Sequence, residues 1–215
     1  MRPWLLVPAK SLAAGKSRLL GVLEHGARRD LNERLLRRMM ATAARFPGRE
    51  RTAVVSECDD VLRLAGRCGV RGIRQTAGRG LNSAAEEGIA AVRGLGAQDV
   101  VVIACDEPLV RPPDIREIAD IRASHGGIVI CPDRHWRGTN AILVPRDAAL
   151  RFQFGEGSFA KHCTEVLRLG YVPTVHFNAH IAFDVDTPED LAMWLGGVRR
   201  ASGGRGHILG SILSR

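Results

Sequence analysis

The sequence has few aromatic residues, no long apolar run and almost no lysine, and these shortages exclude several classes of protein. Aromatic residues make up 5% of the 215 residues, which leaves few rings on which the bases of single-stranded nucleic acid can stack. No run approaches the roughly 18 apolar residues of a transmembrane helix. The apolar stretch at the start is too short for a signal peptide and is typical of a first strand. We therefore expect a cytoplasmic protein without a membrane span.

The cysteines match neither a disulfide framework nor a zinc ribbon. There are five, an odd number, and they are widely spaced without a Cys-x-x-Cys pair. This pattern fits thiols that stay reduced, as they do in the cytoplasm.

The chain is basic, but its excess charge is dispersed. Lys+Arg number 31 and Asp+Glu 23, which gives a net charge of +8. Such a charge can serve nucleic acid, a membrane surface or an anionic small molecule. Part of it lies in 196–215, a Gly/Ser/Arg-rich segment that we predict to be a flexible tail after a domain of residues 1–195. Much of the rest decorates the solvent face of a predicted helix at 31–45, which leaves nucleic-acid binding as a remote alternative.

Short apolar runs alternate with helical segments along the chain, which predicts an α/β fold with a mainly parallel central sheet. The valine-rich run 100–104 is typical of a central strand that is buried on both faces. Further strands are predicted at 4–7, 52–56, 70–74, 127–131, 141–144, 172–177 and 181–183. Helices are predicted at 16–23, 31–45, 59–68, 81–95, 113–124, 158–169 and 187–195.

The loop after the first strand is rich in cations. Two of the chain's three lysines, Lys10 and Lys16, lie in it together with Arg18. The run Gly15-Lys16-Ser17 is not a P-loop, because that motif needs a glycine at the position of Lys10. Cations and free backbone N–H groups at a helix start suit a triphosphate. The alternative is an exposed basic turn.

Acidic residues follow two of the predicted strands. Asp106 comes directly after the central strand, where a ligand-binding edge is expected in an open α/β sheet. Asp184 and Asp186 follow a later strand and would point to one side of an extended segment. Three carboxylates from two strand ends suit Mg²⁺. For Asp186, the alternative is that it merely precedes the helix that starts at Thr187.

Two polar, glycine-containing turns complete the candidate residues. The turn 137–141 runs into a strand and contains Thr139, and the turn 152–159 opens a helix near Ser158. Hydroxyls and free N–H groups at such positions bind phosphate or carboxylate. Ser158 has the alternative role of an ordinary helix cap. His162 follows one turn later, and we interpret it as a satisfied helix residue rather than a base.

In this order, the segments resemble the 2-phospho-L-lactate guanylyltransferase family (CofC-like), which includes phosphoenolpyruvate guanylyltransferases and acts in coenzyme F-420 biosynthesis. The similar stretches are Lys10 with Lys16-Ser17-Arg18-Leu19, Gly80-Leu81-Asn82, Cys105-Asp106-Glu107-Pro108-Leu109, Gly138-Thr139-Asn140-Ala141, Phe154-Gly155-Glu156-Gly157-Ser158-Phe159 with His162, and Asp184-Val185-Asp186-Thr187-Pro188-Glu189-Asp190-Leu191. Six weak motifs in one order make a specific pattern. Glu107 departs from it, since the family commonly has an apolar residue there.

The resemblance implies a single-domain, Rossmann-related nucleotidyltransferase of the GT-A-like type, with residue roles in three groups. The implied Mg²⁺ ligands are Asp106, Asp184 and Asp186. The implied GTP-binding residues are Lys10, Lys16, Arg18, Gly80 and Asn82, and the implied acceptor-binding residues are Thr139, Gly155 and Ser158. Asp106, Lys16 and Arg18 would carry the chemistry.

The implied reaction transfers GMP from GTP to a small phosphorylated acid and releases pyrophosphate. Phosphoenolpyruvate, 2-phospho-L-lactate and 3-phospho-D-glycerate all remain possible acceptors, because they differ by a few atoms around the same phosphate and carboxylate. The alternative is a related nucleotidyltransferase that acts on a sugar phosphate or molybdopterin. Such an enzyme would begin with a Gly-Gly-x-Ser-x-Arg-type loop, whereas this chain has Pro8-Ala9-Lys10. The oligomeric state is left open.

Overall fold

The computed structural model describes residues 2–201, which form seven strands and six α-helices. The strands are β1 (Trp4–Pro8), β2 (Thr52–Ser56), β3 (Arg71–Arg74), β4 (Asp99–Ile103), β5 (Ile128–Pro132), β6 (Thr139–Pro145) and β7 (Pro173–Val175). The helices are α1 (His25–Ala43), α2 (Asp59–Arg67), α3 (Leu81–Gly94), α4 (Pro112–His125), α5 (Ser158–Arg168) and α6 (Pro188–Ala201). No helix among these residues is long and apolar enough to cross a membrane.

The strands form one sheet in the order β3-β2-β1-β4-β6-β5-β7. All neighbouring pairs are parallel except those of β6, which runs antiparallel to both β4 and β5. The predicted α/β fold with a mainly parallel sheet is therefore confirmed. Because β6 is reversed, its first residue, Thr139, lies at the edge where the parallel strands β1 and β4 end.

Helices cover both faces of the sheet, so its central strands are apolar on both sides. Alternate residues of β1 enter different clusters, Leu5 and Val7 on one face and Trp4 and Leu6 on the other. Helix α3 lies close to this strand at Gly88, where an added Cβ would come 2.6 Å from a methyl carbon of Leu6. All five cysteines are free, as the absence of a disulfide pattern predicts.

The helix predicted at 16–23 is wrong. Only Ser17–Leu19 form a short 3-10 helix, and α1 begins at His25 rather than at 31. The apolar residues of this segment do not form one buried helical face, since turns follow Leu19 and the side chains of Leu20 and Val22 are exposed.

The strand predicted at 181–183 is also wrong, because these residues lie in a loop. Their apolar character comes from burial without strand pairing. Ile181 joins the cluster beneath α1, α2 and α4, and Phe183 packs with Leu19, Leu31 and Leu35. A short apolar run cannot distinguish such a buried loop from a strand.

The closing helix is longer than the sequence predicts. It continues to Ala201 instead of ending at 195, so residues 196–201, expected in the tail, are helical. The remaining part of the predicted tail, 202–215, lies outside the described residues.

Candidate active site

Lys16 lies at the centre of the acidic residues that the sequence singles out. Its Nζ is 2.5 Å from Asp106 Oδ2 and 2.8 Å from Asp186 Oδ1, and its side chain is 6% exposed. The loop after β1, the end of β4 and the segment before α6 thus meet at one point. The predicted acidic cluster is present, with an ammonium group between two of its members.

Burial and neighbouring charges shift the pKa values of Lys16 and Asp184. Burial alone would lower the pKa of Lys16, but Asp106 and Asp186 outweigh it and raise that pKa above its usual value. Burial, together with the charges of Asp106 and Asp186, raises the pKa of Asp184 to about 6. Lys16 is held there in a left-handed backbone conformation, which costs roughly 1 to 3 kcal/mol and is typical of functional sites.

Of the predicted nucleotide-binding residues, Lys10 and Lys16 line a cavity of about 310 Å³, together with Leu81, Asp106 and Asp186. Lys10 is exposed at its rim. The Arg18 side chain is 73% exposed, and its guanidinium is 3.9 Å from Asp186. The predicted cations Lys10 and Lys16 therefore face this cavity, whereas its apolar lining residues were not predicted from the sequence.

Asn82 binds the backbone of the turn that precedes α5. It follows Gly80, a positive-φ glycine that precedes α3. Its Oδ1 accepts the Phe154 N–H at 2.7 Å, and its Nδ2 donates to the Phe154 carbonyl at 3.4 Å. The side chain predicted to contact a nucleotide therefore ties the start of α3 to the turn before α5.

The residues predicted to bind the acceptor are brought together at that turn. The Thr139 N–H donates to Ser158 Oγ at 2.9 Å, and the Ser158 N–H donates to the carbonyl of Gly155. Gly155 has a φ of 121°, which favours glycine. His162 is fully buried with both ring nitrogens bonded, which confirms its interpretation as a satisfied helix residue.

The sequence analysis missed Asp133, which shapes the turn before Thr139. Its carboxylate accepts the N–H groups of His135, Arg137 and Gly138 at 2.8–3.0 Å. An added Cβ at Gly138 would lie 2.8 Å from Asp133 Oδ2, so this carboxylate also explains the glycine. An Asp ahead of a glycine-containing turn is the signal that could have found it.

The acidic cluster suits a divalent cation in its donor type. Asp106, Asp184 and Asp186 offer carboxylate oxygens, the ligands that Mg²⁺ prefers. The pKa of Asp184 is raised by burial and then by the charges of Asp106 and Asp186, and a cation would relieve that repulsion. Within residues 2–201, however, no group of three or more His, Cys, Asp or Glu side chains is arranged to hold a metal ion. The Lys16 ammonium competes for two of the three carboxylates.

The sequence of this chain matches a known protein family. The family model described as "Guanylyl transferase CofC like" matches residues 4–200, nearly the whole described chain. The chain belongs to this family. The match extends beyond residue 195, the domain end predicted from the sequence.

Curated relatives of this CofC-like chain are named for two acceptors. A phosphoenolpyruvate guanylyltransferase of Rubrobacter xylanophilus is 40% identical, over 89% of this chain and 93% of that protein. A 2-phospho-L-lactate guanylyltransferase of Methanothermobacter thermautotrophicus is 28% identical, over 89% of this chain and 83% of that protein.

Solved structures with the same fold are nucleotidyltransferases. A putative nucleotide-diphospho-sugar transferase from Desulfovibrio desulfuricans has a TM-score of 0.73 at 17% identity, covering 97% of this chain and 92% of that one. A CMP:2-keto-3-deoxy-manno-octonic acid synthetase complexed with CTP has a TM-score of 0.66 at 12% identity, covering 94% and 100%. The fold is that of the nucleotide-diphospho-sugar transferases, which confirms the Rossmann-related, GT-A-like prediction.

Glu107 is the least satisfied group near the acidic cluster of this CofC-like protein. It is 3% exposed, and neither carboxylate oxygen has a hydrogen-bond partner in the described part of the chain. Burial first, and then the charges of Asp106 and Asp184, raise the pKa of Glu107 well above its usual value. A buried polar group without a partner destabilises the folded state.

Glu107→Met is therefore expected to raise the free energy of unfolding by about 2 kcal/mol, because it removes an unpartnered carboxyl and keeps a chain of similar length. Urea unfolding followed by circular dichroism measures the effect. Glu107→Gln is the matched control, since it leaves an unpartnered polar group and should give little gain. A less stable Glu107→Met would show that the carboxylate has a stabilising partner.

Proposed function

We propose that this protein transfers GMP from GTP to a small phosphorylated carboxylic acid, with release of pyrophosphate, as a step in coenzyme F-420 biosynthesis. Membership of the guanylyl transferase family supports this reaction class. The observation that carries the proposal is that the Lys16–aspartate cluster and the Thr139–Ser158 pair lie at the same edge of the sheet, since Thr139 begins β6 beside the end of β4, which Asp106 follows. One edge of the sheet thus offers cations for a triphosphate and hydroxyls for a second anion.

The proposed reaction needs no protein nucleophile. A phosphate oxygen of the acceptor attacks the α-phosphorus of GTP, a P–O bond forms, and the bond to the β-phosphate oxygen breaks as pyrophosphate leaves. The attacking oxygen is already ionised near neutral pH, so no side chain has to remove a proton. Catalysis then consists of positioning and charge neutralisation.

The residues have separate roles in this scheme. Lys16 and Arg18 neutralise charge on the departing pyrophosphate, and Thr139 and Ser158 hold the acceptor anion. Asp106, Asp184 and Asp186 would hold Mg²⁺, which when bound supplies positive charge at the phosphate oxygens.

Phosphoenolpyruvate is the acceptor that the comparisons favour. The relative that is 40% identical bears that substrate in its name, whereas the relative named for 2-phospho-L-lactate is 28% identical. We therefore propose phosphoenolpyruvate ahead of 2-phospho-L-lactate and 3-phospho-D-glycerate.

The test is an assay of pyrophosphate release with GTP, Mg²⁺ and each of the three acceptors in turn, with the mass of the product recorded. We expect release that requires both GTP and an acceptor, fastest with phosphoenolpyruvate, and a product heavier than the acceptor by one GMP unit. Replacing GTP by CTP or ATP is the donor control. Folded protein that is silent with all three acceptors, or that turns over only a sugar phosphate or molybdopterin, would overturn the proposal.

A further inference from the structure

The hydrogen bonds of the His162 ring determine which of its two nitrogens carries the proton. Nε2 is 3.0 Å from the backbone nitrogen of Gln153, and Nδ1 is 2.9 Å from Thr139 Oγ1. A backbone N–H can only donate, so Nε2 must accept. The neutral ring therefore carries its proton on Nδ1.

This tautomer also fixes the direction of the Thr139 hydroxyl. Nδ1–H donates to Thr139 Oγ1, so that oxygen accepts and its own proton points to a third group. Ser158 Oγ likewise accepts a protein bond, from the Thr139 N–H at 2.9 Å. Both hydroxyls are left with a proton to donate, which suits a ligand that only accepts, such as phosphate or carboxylate.

The surroundings keep the ring in this state. His162 is fully buried, and the rings of Phe152 and Phe154 meet it edge-on at centroid distances of 6.3 and 5.0 Å. Burial is the main cause that lowers the pKa of His162 to about 4, against the charge of Glu165, which raises it, and with that of Lys161, which lowers it. A protonated ring could not accept the Gln153 N–H, so the neutral form at physiological pH preserves the arrangement.

We propose that His162 is a positioning residue that turns the Thr139 hydroxyl into a hydrogen-bond donor to an oxygen of the anionic acceptor. The inference rests on the proposed function for the identity of that acceptor. His162 itself touches neither substrate nor reacting atoms. Loss of its Nδ1–H should therefore weaken acceptor binding and leave GTP binding unchanged.

Two substitutions separate the two ring nitrogens. In His162→Asn the amide nitrogen can replace Nδ1 and donate to Thr139. In His162→Gln the amide oxygen can replace Nε2 and accept from Gln153, but Thr139 loses its donor. We expect the KM for phosphoenolpyruvate to rise about tenfold or more in His162→Gln and much less in His162→Asn, with the KM for GTP unchanged in both.

A double-mutant cycle tests whether the effect passes through the hydroxyl. Thr139→Val has no hydroxyl to orient, so adding His162→Gln to it should leave the acceptor KM where Thr139→Val alone puts it. Equal acceptor KM values in His162→Gln and the native protein, or a fully additive double mutant, would overturn the proposal. Matching circular dichroism spectra and melting temperatures exclude misfolding as the cause.

The tautomer of His162 can be measured directly, in an experiment that does not depend on enzyme activity. Nitrogen-15 NMR of the native protein should show the His162 ring protonated at Nδ1 at neutral pH. A ring protonated at Nε2 refutes the positioning role even in an active enzyme. If no acceptor supports pyrophosphate release while His162 carries its proton on Nδ1, the proposed function is refuted instead.

Discussion

Replacing Lys16 with methionine is expected to lower kcat about a thousandfold and, in the same protein, to tighten the binding of Mg²⁺. Turnover falls while metal affinity rises because the Lys16 ammonium has two roles. It supplies positive charge for the departing pyrophosphate, and it occupies the carboxylates of Asp106 and Asp186 at 2.5 and 2.8 Å.

The gain in metal affinity follows from charge. Without Lys16, the three aspartates lose the ammonium between Asp106 and Asp186 and keep only the exposed Arg18 nearby, and like charges in a partly buried site repel. A divalent ion relieves that repulsion and no longer competes with an ammonium group. Methionine nearly matches the length of lysine, so the loop after β1 keeps its packing.

Isothermal titration with Mg²⁺ in the absence of nucleotide measures the affinity, and pyrophosphate release measures turnover. Lys161→Met is the matched control, because the Lys161 ammonium donates to the Glu156 carbonyl and contacts none of the three aspartates. It should leave the Mg²⁺ affinity unchanged. Weaker ion binding in Lys16→Met would contradict the competition between ammonium and metal.

The fold could be predicted where local pattern and tertiary role agree. The valine-containing run 52–56 is a strand with the predicted bounds, because its residues are buried on both faces of the sheet. The helix predicted at 16–23 is wrong because turns follow Leu19, and Leu20 and Val22 are exposed instead of packing on one helical face. The strand predicted at 181–183 is wrong because a loop there is buried as deeply as a strand.

The sequence predicts which residues form the candidate site, but it does not predict the contacts between them. Chain position directly after β4 was enough to select Asp106, whereas Asp186 was selected from its spacing to Asp184 after a predicted strand that is a loop in the structure. That Lys16 joins them depends on contacts across 90 and 170 residues, which no local spacing encodes. The link between Asn82 and Phe154 spans 72 residues and is likewise set by the sheet order.

Asp184→Asn is expected to lower turnover by at least a hundredfold and to weaken Mg²⁺ binding, with the fold retained. Burial and the neighbouring charges already disfavour the Asp184 carboxylate, with its pKa raised to about 6, so a neutral amide of the same shape is tolerated. The same titration and pyrophosphate assay measure both effects. Asp120→Asn, on the exposed face of α4, is the matched control and should change neither quantity.

Asp184 is the aspartate that separates metal binding from the anchoring of Lys16. Asp106→Asn removes a proposed ligand and also a partner of Lys16, so its loss of turnover has two causes. Within residues 2–201, Asp184 makes no hydrogen bond to Lys16, and its substitution leaves both contacts of the ammonium in place. Loss of ion binding in Asp184→Asn therefore reports the metal site without breaking either hydrogen bond of the ammonium. Full turnover in that variant would remove Asp184 from the proposed ligands and leave Asp106 and Asp186 as anchors of Lys16.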